Sequence, residues 1–134
     1  MPLRTPYHDV IQRLSNLVSR EPLHGNTTMV LDAGGPGYPV LDFIRQARLG
    51  PRIVAITITG GESPGYSNGT HTVPKRALVS NLQLALQNRS VAIARSLPLS
   101  KTVQKELAVA KPDSHTGDLA MAFALAAWQA GKPL

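Results

Sequence analysis

Residues 28–59 read TMVLDAGGPGYPVLDFIRQARLGPRIVAITIT, and this stretch decides the fold class. Thr28-Met29-Val30-Leu31 is a short β-prone run that ends in Asp32-Ala33-Gly34-Gly35-Pro36-Gly37, a strand followed by a turn. Pro39 opens a helix that carries Val40, Phe43, Ile44 and Ala47 on one face, and Gly50-Pro51 stops it. Ile53 to Thr59 is then a continuous apolar and β-branched run, the composition of a strand covered on both faces. Strand, helix, strand at this spacing predicts a parallel pair with a helical crossover, the unit of an α/β fold.

Working outward, Tyr7, Val10, Ile11, Leu14, Leu17 and Val18 recur at helical spacing and predict a first helix over about 6–20, with Thr5 as its cap and Pro6 at its first position. On the other side, the polar, Gly-rich residues 60–72 are read as a loop. Pro74 starts a helix with Leu78, Val79, Leu82, Ala85 and Leu86 inward, and Val91-Ala92-Ile93-Ala94 reads as a third strand. Ser100 is expected to cap a short helix through Val103, Leu107 and Ala110, ended by Lys111-Pro112. The last helix, Thr116 to Ala130, is apolar nearly all round and is expected to be the most buried element. The expectation is an α/β domain with a truncated small parallel sheet flanked by helices. Three strands are few for so many helices, which points to a domain incomplete at its amino terminus or completed by a partner.

At 134 residues the chain matches one domain, and 43% hydrophobic against 16% charged residues gives it enough apolar material for a core. The longest apolar stretch, Leu119 to Trp128, is about half of a bilayer span, and the amino terminus turns polar too soon for an export signal. No membrane association and a cytoplasmic location are therefore expected. Without cysteine there is no disulfide framework, thiolate zinc site or cysteine nucleophile. Aromatic residues at 4% argue against a base-stacking platform for single strands. Fourteen Lys and Arg against eight Asp and Glu leave a charge of +6, which favours a polyanionic partner, nucleic acid first.

Sites in open α/β sheets form beyond the carboxyl ends of strands, where Asp32 and Glu62 stand. Asp32 can face a cation there or shape the Gly-rich turn as an Asx acceptor; Glu62 reads as a solvated loop side chain. Asp118 opens the last helix, where it can serve the helix dipole or, with Asp32, make an oxygen site for a divalent cation. Asp42 is assigned to the dipole of its own helix, and Asp113 lies in the loop before Asp118. Gly34-Gly35-Pro36-Gly37 has neither a Gly-Lys-Ser/Thr ending nor GxGxxG spacing, the four histidines show no HxxxH or HExxH pattern, and no GxSxG elbow is present.

Val30 to Asp42, Ile56 to Glu62, Val73-Pro74-Lys75-Arg76-Ala77-Leu78-Val79, Glu106-Leu107 and His115-Thr116-Gly117-Asp118-Leu119 onward to Ala126 form an ordered series. In order and spacing it resembles the carboxy-terminal nuclease domain of tailed-phage terminase large subunits. The resemblance covers nearly the whole chain. It implies a ribonuclease H-like fold and metal-dependent cleavage of double-stranded DNA during viral genome packaging, with Mg²⁺ or Mn²⁺ held by acidic residues. Carried over, Asp32 and Asp118 are the catalytic and metal-binding residues, with carboxylates expected close enough to share a cation. The family usually has His-Asp-Asp-Leu where this chain has Thr116-Gly117-Asp118-Leu119, and its first strand supplies a further aspartate that is expected to precede this chain. Lys75 and Arg76 are expected to touch DNA phosphates on the same side. Two carboxylates are too few for two-metal cleavage, so the chain alone is expected to be inactive. Two alternatives remain: a non-catalytic DNA-binding or packaging-accessory module, and an assembly domain that pairs through an open sheet edge, with a second copy or a polypeptide supplying the absent strands.

Overall fold

A computed structural model describes residues 6–35, 37–67, 69–111 and 116–132. The elements are α1 (Tyr7–Val18), β1 (Thr28–Asp32), α2 (Gly37–Ala47), β2 (Arg52–Thr59), β3 (Gly65–Ser67), β4 (Thr70–Pro74), α3 (Lys75–Gln87), α4 (Ser100–Val109) and α5 (Asp118–Ala130). The strand order is β1-β2-β4-β3, a mixed parallel and antiparallel sheet flanked by helices, so the class is α/β. The chain divides into two compact units, Met1–Thr57 with Ser67–His71, and Ile58–Tyr66 with Thr72–Leu134.

In the first unit β1 and β2 run parallel, with Thr28 opposite Arg52 and Asp32 opposite Ile56, as the strand-helix-strand reading of residues 28–59 requires. The core gathers where the periodicities meet. Val18, Met29 and Ile44 are buried together, with Ile11, Leu14, Leu31, Val40, Leu49 and Ile53 packed against them, while Ala33, Leu41 and Ala55 form a second cluster beneath α2. Helix α2 ends at Ala47 because Arg48 turns to φ 48° and Gly50 to φ 106°, values that break the right-handed helix. Pro6 is the N-cap of α1 rather than its first helical residue, and Thr5 lies outside the described residues.

In the second unit α3 and α4 both pack on α5. Leu78, Val79 and Leu82 are buried, Ala85 is half-buried, and Leu86 is exposed in the last turn of α3. Helix α5 begins at Asp118 rather than Thr116 and is fully buried only at Ala120, Ala124 and Leu125. Its apolar character all round is the small-residue kind: Ala122 and Ala126 lie exposed, where a single methyl costs little. Ser100 does not cap α4. It is the first helical residue, Leu99 is the N-cap, and the Ser100 hydroxyl turns back to donate to the Arg95 carbonyl at 3.4 Å.

Two expectations about the sheet are corrected. Val91-Ala92-Ile93-Ala94 is not a strand, because β-prone residues form one only with a ladder partner; Val91 and Ile93 are half-buried and Ala92 and Ala94 exposed. The segment 60–72 is not all loop: it holds β3 and most of β4, which make the sheet four-stranded and mixed rather than three-stranded and parallel. Within the first unit Thr70, only 3% exposed, is made tolerable by its hydroxyl, which lies 3.1 Å from the Thr57 hydroxyl and donates to the Ser67 carbonyl at 3.1 Å. Among the described residues no helix is long and apolar enough to cross a membrane.

Candidate functional site

Asp32 is the last residue of β1 and is exposed. Parallel pairing continues one residue past it, where the Ala33 N–H donates to the Ile56 carbonyl at 2.8 Å, so the strand end is fixed in place. From there the side chain folds back and Oδ1 accepts the Gly34 N–H at 3.0 Å, an Asx turn. Gly34 suits this closure: a Cβ at that position would stand 3.3 Å from Asp32 Oδ1. Gly35 follows at φ 53°, a left-handed turn that glycine adopts without steric cost. The turn-shaping role of Asp32 is therefore real. It occupies one carboxylate oxygen of a group with several acceptor positions, at the carboxyl end of a parallel pair where α/β folds bind ligands.

Asp42 does not sit in the first turn of its helix. Because α2 begins at Gly37, two residues before Pro39, Asp42 falls in the second turn, where the macrodipole has faded.

In the second unit Asp118 is the first residue of α5 and is exposed, placed where the free N–H groups of a helix start favour a carboxylate. A second carboxylate acts at the same helix end. Glu106 of α4 accepts the Leu119 N–H through Oε1 at 3.2 Å, the capping that α5 does not receive from its own N-cap, Gly117. Gly117 is required by this contact, since a Cβ there would overlap the Glu106 carboxylate. Periodicity within one helix does not reveal a bond between residues 13 apart, and the only sequence signal for it is a glycine standing where a capping Ser, Thr or Asp is usual.

Lys75 and Arg76 open α3, whose N-cap is Pro74 and whose first turn holds no acidic residue. Lys75 is half-buried and already engaged; Arg76 is exposed. The Arg76 guanidinium donates through Nη2 to Glu62 Oε2 at 2.7 Å, and this hydrogen bond, with the attraction of the two charges, holds the Glu62 carboxyl below its ordinary 4.5. Glu62 is thus an exposed loop side chain with a specific partner.

Asp32 belongs to the first unit, and Asp118, Lys75 and Arg76 to the second. Among the described residues no group of three or more His, Asp or Glu side chains is gathered to hold a metal ion. Asp113 and His115 lie outside the described residues. No family model matches the chain, and no curated protein or solved structure matches it.

Proposed function

We propose that the chain is a nuclease-like module of the terminase large-subunit type, with a ribonuclease H-like sheet, that engages double-stranded DNA. In this reading Lys75 and Arg76 meet backbone phosphates, and Asp32 and Asp118 offer carboxylate oxygen to Mg²⁺ or Mn²⁺. The observation that carries it is the placement of Asp32: an exposed carboxylate at the carboxyl end of a parallel β-α-β unit, on a turn fixed by its own hydrogen bond. The ordered resemblance along the chain and the charge of +6 support it independently.

The donor chemistry suits the cation in kind, since Mg²⁺ and Mn²⁺ take carboxylate oxygen. It does not suit a two-metal centre in number, because stabilising both the attacking and the leaving oxygen of a phosphodiester needs more carboxylates than Asp32 and Asp118 supply. DNA binding is therefore the activity assigned to the chain alone, and cleavage is not. The test is Mn²⁺ titration followed by NMR: paramagnetic broadening is expected at the amides around Asp32 and around Asp118, and is expected to disappear locally in Asp32→Asn and Asp118→Asn. Broadening that ignores both substitutions would refute the cation role.

A further inference from the structure

We propose that Glu62 is an internal competitor of phosphate: it occupies the Arg76 guanidinium in the free protein and gives it up to a backbone phosphate of duplex DNA. The inference rests on the DNA-binding role proposed for Arg76.

Three observations within the second unit carry it. The first is geometric. A guanidinium presents planar N–H donors in a fork that fits carboxylate and phosphate alike, and Glu62 takes it at 2.7 Å, the distance of a charge-assisted bond. A phosphate that bonds Arg76 through the same donor must displace that carboxylate.

The second is exposure. The Arg76 side chain is 56% and the Glu62 side chain 88% exposed, so the pair is solvated and screened. Such pairs contribute little to stability, so exchanging one anion for another at Arg76 costs little. Glu62 lies in the bends between β2 and β3, outside any helix or strand, so its departure breaks no ladder. The third is local charge. Helix α3 starts with Lys75 and Arg76, has no acidic residue in its first turn, and its N-cap Pro74 makes no side-chain capping bond. Glu62 brings a negative charge to Arg76 in the free protein, and DNA brings it in the complex.

A plain surface ion pair predicts something different: removing Glu62 would leave DNA affinity unchanged, or lower it by loosening Arg76. The test is duplex binding by fluorescence anisotropy on the full chain, with Glu62→Gln, Arg76→Gln and the double variant. Glu62→Gln is expected to tighten binding about twofold to fivefold, the fold-change equivalent of an exposed ion pair. That gain is expected to vanish when Arg76 is already Gln. Asp42→Asn, which removes an exposed carboxylate that has no guanidinium partner among the described residues, controls for the general gain in positive charge and is expected to tighten binding less. A gain that persists without Arg76, or no gain at all, overturns the inference.

A wild-type chain with no affinity for duplex would instead refute the DNA-binding reading itself. Inorganic phosphate titrated in place of the duplex and followed on the Arg76 Nε–H NMR signal separates the two sources of the anion. A larger shift with duplex than with the same concentration of free phosphate is expected; equal shifts would overturn the assignment to DNA.

Discussion

Gly117→Ala is expected to destabilise the protein in its natural background and to stabilise it once Glu106 is gone. The backbone at Gly117 has φ −61° and ψ 157°, which alanine adopts freely, so the substitution itself lowers the entropy of the unfolded chain and is worth about 0.4–1 kcal/mol of stability. Against this, the new Cβ would occupy the space of the Glu106 carboxylate and drive it away. The side chain is flexible and can move, so the cost is the lost bond to the Leu119 N–H rather than a permanent clash. A helix N-terminal bond to a charged acceptor is worth about 1–2 kcal/mol. The lost bond outweighs the entropic gain, leaving Gly117→Ala less stable by about 0.5–1 kcal/mol. In Glu106→Ala the bond is already absent and only the entropic gain remains, so adding Gly117→Ala is expected to raise stability by about 0.4–1 kcal/mol. Urea unfolding of the four proteins measures this cycle, and thermal midpoints are expected to follow at about 3–5 °C per kcal/mol. Equal effects of Gly117→Ala in both backgrounds would show that the Glu106 carboxylate does not cap α5.

Asp32→Asn keeps an acceptor for the Gly34 N–H and is expected to hold stability within about 0.5 kcal/mol, whereas Asp32→Ala loses the Asx turn and about 1 kcal/mol, as urea unfolding would register. The Glu62 carboxyl is expected to titrate below 4.5 by NMR and to return to its ordinary value in Arg76→Ala. Since its folded value is depressed, the Glu62–Arg76 contribution is present above the unfolded value and fades as pH falls through the lower, folded one. Leu78→Ala, at a fully buried position of α3, is expected to cost about 2–5 kcal/mol in the same unfolding assay. Plasmid incubated with the chain and Mn²⁺ is expected to stay uncut on gels; robust cutting abolished by Asp32→Asn would contradict the shortage of metal ligands.

The helices were legible because each carries its own periodicity: Ile11 with Leu14 and Val18, Val40 with Ile44 and Ala47, and Leu78 with Val79 and Leu82 mark faces that the structure buries or half-buries, although in α2 Phe43 lies exposed and Leu41 is the buried residue instead. The parallel β1–β2 pair was legible from its apolar run and the helix between. The β3–β4 pair was not, because the positions it buries, Thr70, Val73 and Pro74, do not alternate and begin with a polar residue. Thr70 is buried through hydroxyl contacts to Thr57 and Ser67, and Gly65-Tyr66-Ser67 is exposed throughout, so no hydrophobic alternation announces either strand. The reverse error at Val91 to Ala94 has the same root, since strand formation depends on a neighbour that residue type does not encode. The places of Asp32 at a strand end and of Asp118 at a helix start were legible. Glu106 and the Glu62–Arg76 pair were hidden in contacts between residues 13 and 14 apart.

The salt dependence of duplex binding reports the phosphate contacts of Lys75 and Arg76. Each phosphate neutralised by a cationic side chain contributes about 0.9 to the slope of log K against log salt. If Lys75 and Arg76 each meet one phosphate, Lys75→Ala/Arg76→Ala is expected to weaken binding across unrelated sequences and to make the slope shallower by about 1.8. A double variant that binds duplex with the wild-type affinity and slope would contradict the account.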